Sequence, residues 1–179
     1  PNYPAGKDAL AGFKRFYKGK IAGEVYTKLG QSDYAAELAT LRAAKPDAVF
    51  FFLPGGMGIN FLKQYAQAGL NETIPVFGPA FSFDERLLKA VGGAAVGVRN
   101  GSQWSHDLDN PANKAFVDAF RKVYDRTPTL YASQGYDAAH LLGSALAATG
   151  GSLSDMDAFR AALKRADFDS VRGKFRFGP

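Results

Sequence analysis

The 179-residue chain contains no cysteine. Disulfides, thiol nucleophiles and cysteine-ligated zinc are therefore excluded; a cysteine-free chain suits an oxidising compartment such as the periplasm, and many cytosolic proteins lack cysteine too. Histidine is scarce, with only His106 and His140. His140 falls within an alanine-rich helical stretch and is expected to be structural. His106 lies beside Asp107 and Asp109 in a polar loop, where solvation accounts for it. No HExxH, GxSxG or Walker motif occurs, and Gly55-Gly56-Met57-Gly58 lacks the lysine and the spacing of a phosphate cradle. Without paired catalytic groups the chain is read as a non-enzyme that needs no cofactor and no metal. Apolar runs stay far below the ~18 residues of a membrane span. Pro1-Asn2-Tyr3-Pro4 carries neither the basic nor the apolar region of a leader, so a signal peptide is expected only in the precursor. The net charge is +5, but the basic residues are scattered and no aromatic-interleaved stripe forms, so nucleic acid is not an expected partner.

What the chain does have is aromatic bulk that ends on structure breakers. Phe50-Phe51-Phe52-Leu53 runs straight into Pro54-Gly55-Gly56, as a buried strand does where it opens onto a loop. Around it helix and strand patterns alternate. A helix is expected over Gly6–Tyr17 and a strand over Ile21–Tyr26. Ser32 is placed to cap a helix over Asp33–Ala44, with Tyr34, Leu38 and Leu41 on one face. A buried central strand follows at Ala48–Leu53, then a helix from Gly58 with Ile59, Leu62, Tyr65 and Ala66 inward and Gly69 beyond its end. Ile74–Phe77 reads as a strand, Asp84–Ala90 as a short helix and Ala94–Val98 as another strand. Asn110-Pro111 opens a helix to Tyr124 with Phe116, Phe120 and Val123 inward. Beyond Pro128 come a long helix over Tyr131–Thr149, a helix over Asp155–Lys164 capped by Ser154, and an alternating strand over Gly173–Phe177. The alternation implies an α/β fold: a parallel sheet covered by helices on both faces, a Rossmann-like lobe, with the later elements forming part of a second lobe.

In such sheets ligands sit beyond the carboxyl ends of the strands. Four loops qualify: Asn2-Tyr3-Pro4, Pro54-Gly55-Gly56, Gly78-Pro79-Ala80-Phe81 and Ser102-Gln103-Trp104. They are rich in glycine, proline and aromatics and poor in ionisable groups. Such loops let a ligand approach the backbone and offer flat apolar contact. Ordinary turn chemistry accounts for any one of them singly; four on one sheet edge argue for a site.

At these residues the chain resembles the type I periplasmic substrate-binding proteins of ABC transporters, the group of the branched-chain amino acid binders. Tyr3-Pro4-Ala5-Gly6 is similar to the family's Tyr-x-x-Gly loop, and Lys45-Pro46-Asp47-Ala48-Val49-Phe50 to its Pro-Asp-Ala-Val strand start. Ile74-Pro75-Val76 through Gly78, Gly92 through Gly97-Val98, and Tyr136-Asp137-Ala138-Ala139 match in order and spacing. The resemblance implies the periplasmic binding protein type I fold, a pair of lobes closing on a ligand like a flytrap. Residues 1–128 would be the second, ligand-binding lobe and residues 129–179 a partial first lobe, so the chain is read as a fragment. Carried over by position, the ligand-facing residues would be Tyr3, Leu53, Pro54, Gly55, Ala80, Phe81 and Tyr131, with Gln103 in the loop after the last strand.

One departure from the family is informative. In the amino acid binders the residue after the Gly-Pro turn is acidic and pairs with the ligand's ammonium; here it is Ala80. Burying an ammonium without a partner costs several kcal/mol, so a small aromatic carboxylate is the favoured ligand. The resemblance further implies a periplasmic or membrane-tethered protein that hands its ligand to an ABC permease in the inner membrane. The alternatives are a branched-chain or other aliphatic amino acid or amide as ligand, or a ligand-sensing domain of a receptor or regulator.

Overall fold

A computed structural model describes residues 1–178 of the chain, which divides into two compact units, residues 1–102 and residues from Gln103 onward. The resemblance draws the lobe boundary later in the chain, near residue 128, and that lobe assignment remains a proposal.

The first unit holds helices α1 (Pro4–Phe16), α2 (Ala35–Ala44), α3 (Gly56–Gln67) and α4 (Glu85–Val91) and strands β1 (Val49–Phe50), β2 (Val76–Pro79) and β3 (Arg99–Gly101). The three strands form one parallel sheet in the order β1-β2-β3, with Phe50 opposite Phe77 and Pro79 opposite Gly101. Side chains of a strand alternate between faces, and the phenylalanine run follows that rule. Phe50 stacks on Phe13 of α1 with ring centroids 4.4 Å apart. Phe51 points into the core, 4.9 Å from Phe61 and 5.2 Å from Phe83. The expected stripe of α2 is buried at Tyr34 and Leu38, and Leu62 and Tyr65 are the most deeply buried residues of α3. Gly69, in the left-handed region at φ 69°, ends the turn after α3 as expected.

Several expected elements come out differently. Ile21–Tyr26 forms no strand, and Ile21, Val25 and Tyr26 are exposed. A strand exists only where its backbone groups find a ladder, and no described strand lies beside this segment. For the same reason β1 is an edge strand, not the central one, and its ladder is shorter than Ala48–Leu53. The central strand is β2. Ala94–Val98 is not a strand either. A 3-10 turn covers Gly92–Ala95, and β3 begins only after Gly97, which sits at φ 85°. Positive φ at Gly92 and Gly97 turns the chain where a strand would have to run straight. Helix α2 starts two residues later than expected and has no side-chain cap; Asp33 Oδ1 instead accepts from Ala35 N at 3.0 Å.

The second unit holds α5 (Pro111–Tyr124), α6 (Leu130–Ala148) and α7 (Met156–Arg165). Asn110 caps α5 as expected, its Oδ1 accepting from Ala112 N at 2.9 Å. Asp155 rather than Ser154 caps α7, accepting from Asp157 N and Ala158 N. Phe116 is buried and meets Tyr136 of α6 at 4.6 Å, but Val123 is exposed rather than inward. Helices α6 and α7 pack through Ala145, Phe159 and Ala162. Gly173–Phe177 has no ladder partner; Phe175 instead packs edge-on against Phe168 and Phe177, with Arg172 5.6 Å over its ring. His140 takes a structural place, its ring 4.5 Å from Tyr136 and 6.0 Å from Phe168. Among the described residues no helix is long and apolar enough to cross a membrane.

Candidate functional site

The carboxyl ends of β1 and β2 lie side by side because the strands are parallel and in register. Val49 N donates to Pro75 O and Phe51 N to Phe77 O, both at 2.9 Å. Beyond them the chains turn away, into Pro54-Gly55 and α3 on one side and into a 3-10 turn, Ala80–Ser82, on the other. Gly55 makes its turn at φ 65° and ψ −139°, a combination open in practice only to glycine.

The two turns are joined. Leu53 N donates to the buried Ser82 Oγ at 3.1 Å. A Cβ on Gly58 would lie 2.4 Å from Leu53 O and 3.5 Å from Ser82 O, so the first turn of α3 is seated on both. A Cβ on Gly78 would lie 2.7 Å from Phe51 O and 2.8 Å from the Phe83 ring. Glycine at these two positions is thus a condition of the loops' close approach, independent of any ligand.

Of the residues expected to face a ligand, five fall in these turns. Leu53 is buried, Pro54 and Gly55 are half-buried, Ala80 is 3% exposed and Phe81 is 36% exposed. Tyr3, half-buried, precedes α1 in the same unit, with its carbonyl accepting from Lys7 N at 3.1 Å. Gln103 and Tyr131 belong to the second unit, where Gln103 is exposed and Tyr131 stands in the first turn of α6, 44% exposed.

The acid–base chemistry at the turns is sparse. The one buried carboxylate among the described residues of the first unit is Asp84, and it is already occupied. Its Oδ1 accepts from Arg86 N and Leu87 N, both at 2.9 Å, and its Oδ2 from Arg86 Nη2 at 3.4 Å. It is the N-cap of α4, where a carboxylate also meets the positive end of the helix dipole. Beside Gln103, the buried Asn113 fixes an irregular loop. Its Oδ1 accepts from Trp104 Nε1 at 2.7 Å, and its Nδ2 donates to the carbonyls of Ser105, His106 and Leu108, each at 3.2 Å. Neither Ser82 nor Asn113 stood out in the sequence. A serine three residues past a Gly-Pro turn is ordinary, and an asparagine inside a helix gives no sign of the loop it will hold.

A parallel sheet with glycine-shaped turns at its strand ends and helices around it is of the α/β class. The whole chain, residues 1–179, matches the model of the periplasmic binding protein family, and the chain belongs to that family. It is 34% identical to a benzoate-bound ABC transporter solute-binding protein from R. palustris, covering 99% of this chain and 49% of that one with a TM-score of 0.93. A second solved structure is a solute-binding protein from Rhodopseudomonas palustris BisB5 in complex with 3,4-dihydroxybenzoic acid. It is 40% identical, with 96% and 48% of the two chains covered and a TM-score of 0.86. Among curated proteins, a Leu/Ile/Val-binding protein homolog from Brucella melitensis is 30% identical over 185 residues, 99% of this chain and 47% of that protein. The chain spans about half the length of the relatives it matches.

Proposed function

We propose that the full-length protein is the extracytoplasmic solute-binding component of an ABC transporter, and that its ligand is a small aromatic carboxylate. Residues Tyr3, Leu53, Pro54, Gly55, Ala80, Phe81, Gln103 and Tyr131 face the ligand in this reading. The ligand bridges two lobes, binds the closed form preferentially and shifts the population toward it. The closed form then delivers it to an inner-membrane permease, and no bond of the ligand is made or broken.

The observation that carries the ligand class is Ala80 itself, an uncharged residue at the turn after β2 where the resemblance to the amino acid binders calls for an acid. Ala80 is buried there, and the buried carboxylate of Asp84 is engaged on both oxygens, Oδ1 by the cap of α4 and Oδ2 by the Arg86 side chain. An α-ammonium buried beside Ala80 would gain no counter-charge from that residue. A ligand with a flat apolar body and no amine fits Phe81, Pro54 and the glycine turn. Burial of ~200 Å² of ring surface at ~25 cal/mol per Å² yields roughly 5 kcal/mol. Micromolar affinity needs about 8 kcal/mol net of association costs, so hydrogen bonds to the carboxylate must supply the rest. The benzoate and dihydroxybenzoate held by the two solved relatives support the same class. The Leu/Ile/Val-binding name of the curated relatives supports the second reading, an aliphatic amino acid.

Thermal shifts separate the two. Full-length protein stripped of ligand by unfolding and refolding is tested against benzoate, 4-hydroxybenzoate and 3,4-dihydroxybenzoate, and against leucine, isoleucine and valine. Stabilisation by the aromatic acids alone is expected. Stabilisation by the amino acids alone means that a carboxylate elsewhere meets the ammonium, and the aromatic reading fails.

A further inference from the structure

We propose that Ser82 is a positioning residue which sets the separation of the two ligand-facing turns, an inference that rests on those turns facing the ligand. The β1–β2 ladder steps regularly, from Val49 N with Pro75 O to Phe51 N with Phe77 O. The next step of a parallel ladder pairs Leu53 N with Pro79 O. That step is not taken. Leu53 N donates instead to Ser82 Oγ at 3.1 Å, three residues further along the other chain.

A side-chain hydroxyl thus replaces the ladder carbonyl at the point where the strands part. The replacement has two consequences. The Leu53 amide, buried at the mouth of the sheet, is satisfied without zipping the strands closed. The spacing between Leu53-Pro54-Gly55 and Ala80-Phe81 is then set by one serine side chain rather than by the sheet. Ser82 is itself only 2% exposed, so its hydroxyl makes this bond out of reach of competing solvent. Ser82 acts through the turns and not by touching the ligand.

Removing the hydroxyl leaves two options: the ladder closes onto Pro79 O, or the turns splay. Both alter the opening. The test is calorimetric titration of the full-length protein with benzoate and with 3,4-dihydroxybenzoate, comparing wild type, Ser82→Ala, Ser82→Cys and Ser82→Thr. Ser82→Ala is expected to weaken binding about ten-fold and to change the ratio of the two affinities, because the turns are no longer held at the separation the ligand meets. Ser82→Cys keeps the volume but has a poor acceptor, and should lose affinity in the same direction. Ser82→Thr keeps the acceptor, so its added methyl should lower the melting temperature while the ratio of the two affinities stays that of wild type. In Ser82→Ala and Ser82→Cys, a purely structural serine would lower the melting temperature and scale both affinities equally, leaving their ratio unchanged. That result, or Ser82→Ala and Ser82→Cys binding like wild type, overturns the proposal. If wild type binds leucine in place of the benzoates, the aromatic reading fails alone. Ser82 is then judged by the same variants on leucine against valine.

Discussion

The two units of the chain are held together by different chemistry. In the first, a cluster of rings surrounds Phe61, with Tyr34, Phe51 and Tyr65 at 5.5, 4.9 and 5.4 Å. Its backbone enters the core as strand and helix, whose ladders satisfy their own polar groups. In the second, rings also pack, Phe116 on Tyr136 at 4.6 Å, but two buried polar side chains hold the irregular segments. Asn113 holds the loop from Trp104 to Leu108, and Asp137 accepts from Ser170 Oγ at 2.6 Å, Val171 N at 3.1 Å and Arg172 Nε at 2.8 Å. The segments these two bind are irregular, so their amides and carbonyls have no ladder and must be met by side chains. Where a fold buries irregular chain, polar hubs replace apolar contacts as the specifying element.

Breaking the ring cluster should have the largest effect. Phe61→Ala removes a 4%-exposed ring from the centre of the first core and should cost about 4 kcal/mol, the transfer energy plus the cavity. Hydrogen exchange should show loss of protection at peptides around β1, α3 and β2, while those around Trp104 and Asn113 keep theirs. Equal loss in both places would mean that the two chemistries are not separate. Asp137→Ala is the converse. It strands a buried amide and hydroxyl and frees Arg172, whose side chain is 34% exposed and rehydrates in part. A cost of about 3 kcal/mol is expected, with exchange rising at residues 168–173 and not at β1. Retained protection there would show that the backbone of this segment holds without its hub.

The same division decides what could be read from sequence. Periodicity revealed α2, α3, α5 and α6 nearly to their ends, because an amphipathic stripe such as Tyr34-Leu38-Leu41 is local information. The strand-end turns were legible as well, since Pro54-Gly55 and Gly78-Pro79 are common punctuation at strand ends, while their facing a ligand is a proposal. What failed were strands. Ile21–Tyr26 and Gly173–Phe177 alternate correctly, but a strand is made by its neighbour, and neither has one among the described residues. Ala94–Val98 failed for a local reason, the positive φ of Gly92 just before it and of Gly97 within it. Ser82 and Asp137 were invisible because their partners are distant, 29 residues back for Ser82 and 33 to 35 ahead for Asp137, whereas Asn113 bonds only 5 to 9 residues back, to an irregular loop that no pattern announces.

The smallest effect sharpens the comparison through pH. Tyr34 and Tyr65 are almost wholly buried in the first unit, and their hydroxyls donate to Gln31 O and Ile74 O, each at 2.9 Å. Burial pushes both phenols up to about 12, with Glu37 adding to the effect at Tyr34. A phenol whose folded pKa is raised stabilises the fold fully below its ordinary value near ~10, and that contribution is lost as pH climbs toward the folded value. The urea midpoint should therefore hold steady from about pH 7 to about pH 9 and fall between about pH 10 and about pH 12, with first-unit peptides opening before second-unit ones. Tyr65→Phe should cost about 1 kcal/mol at neutral pH, because Ile74 O loses its donor, and should make the alkaline fall shallower. An alkaline fall that opens the second unit first, or that is unchanged in Tyr65→Phe, would place its cause outside the ring cluster.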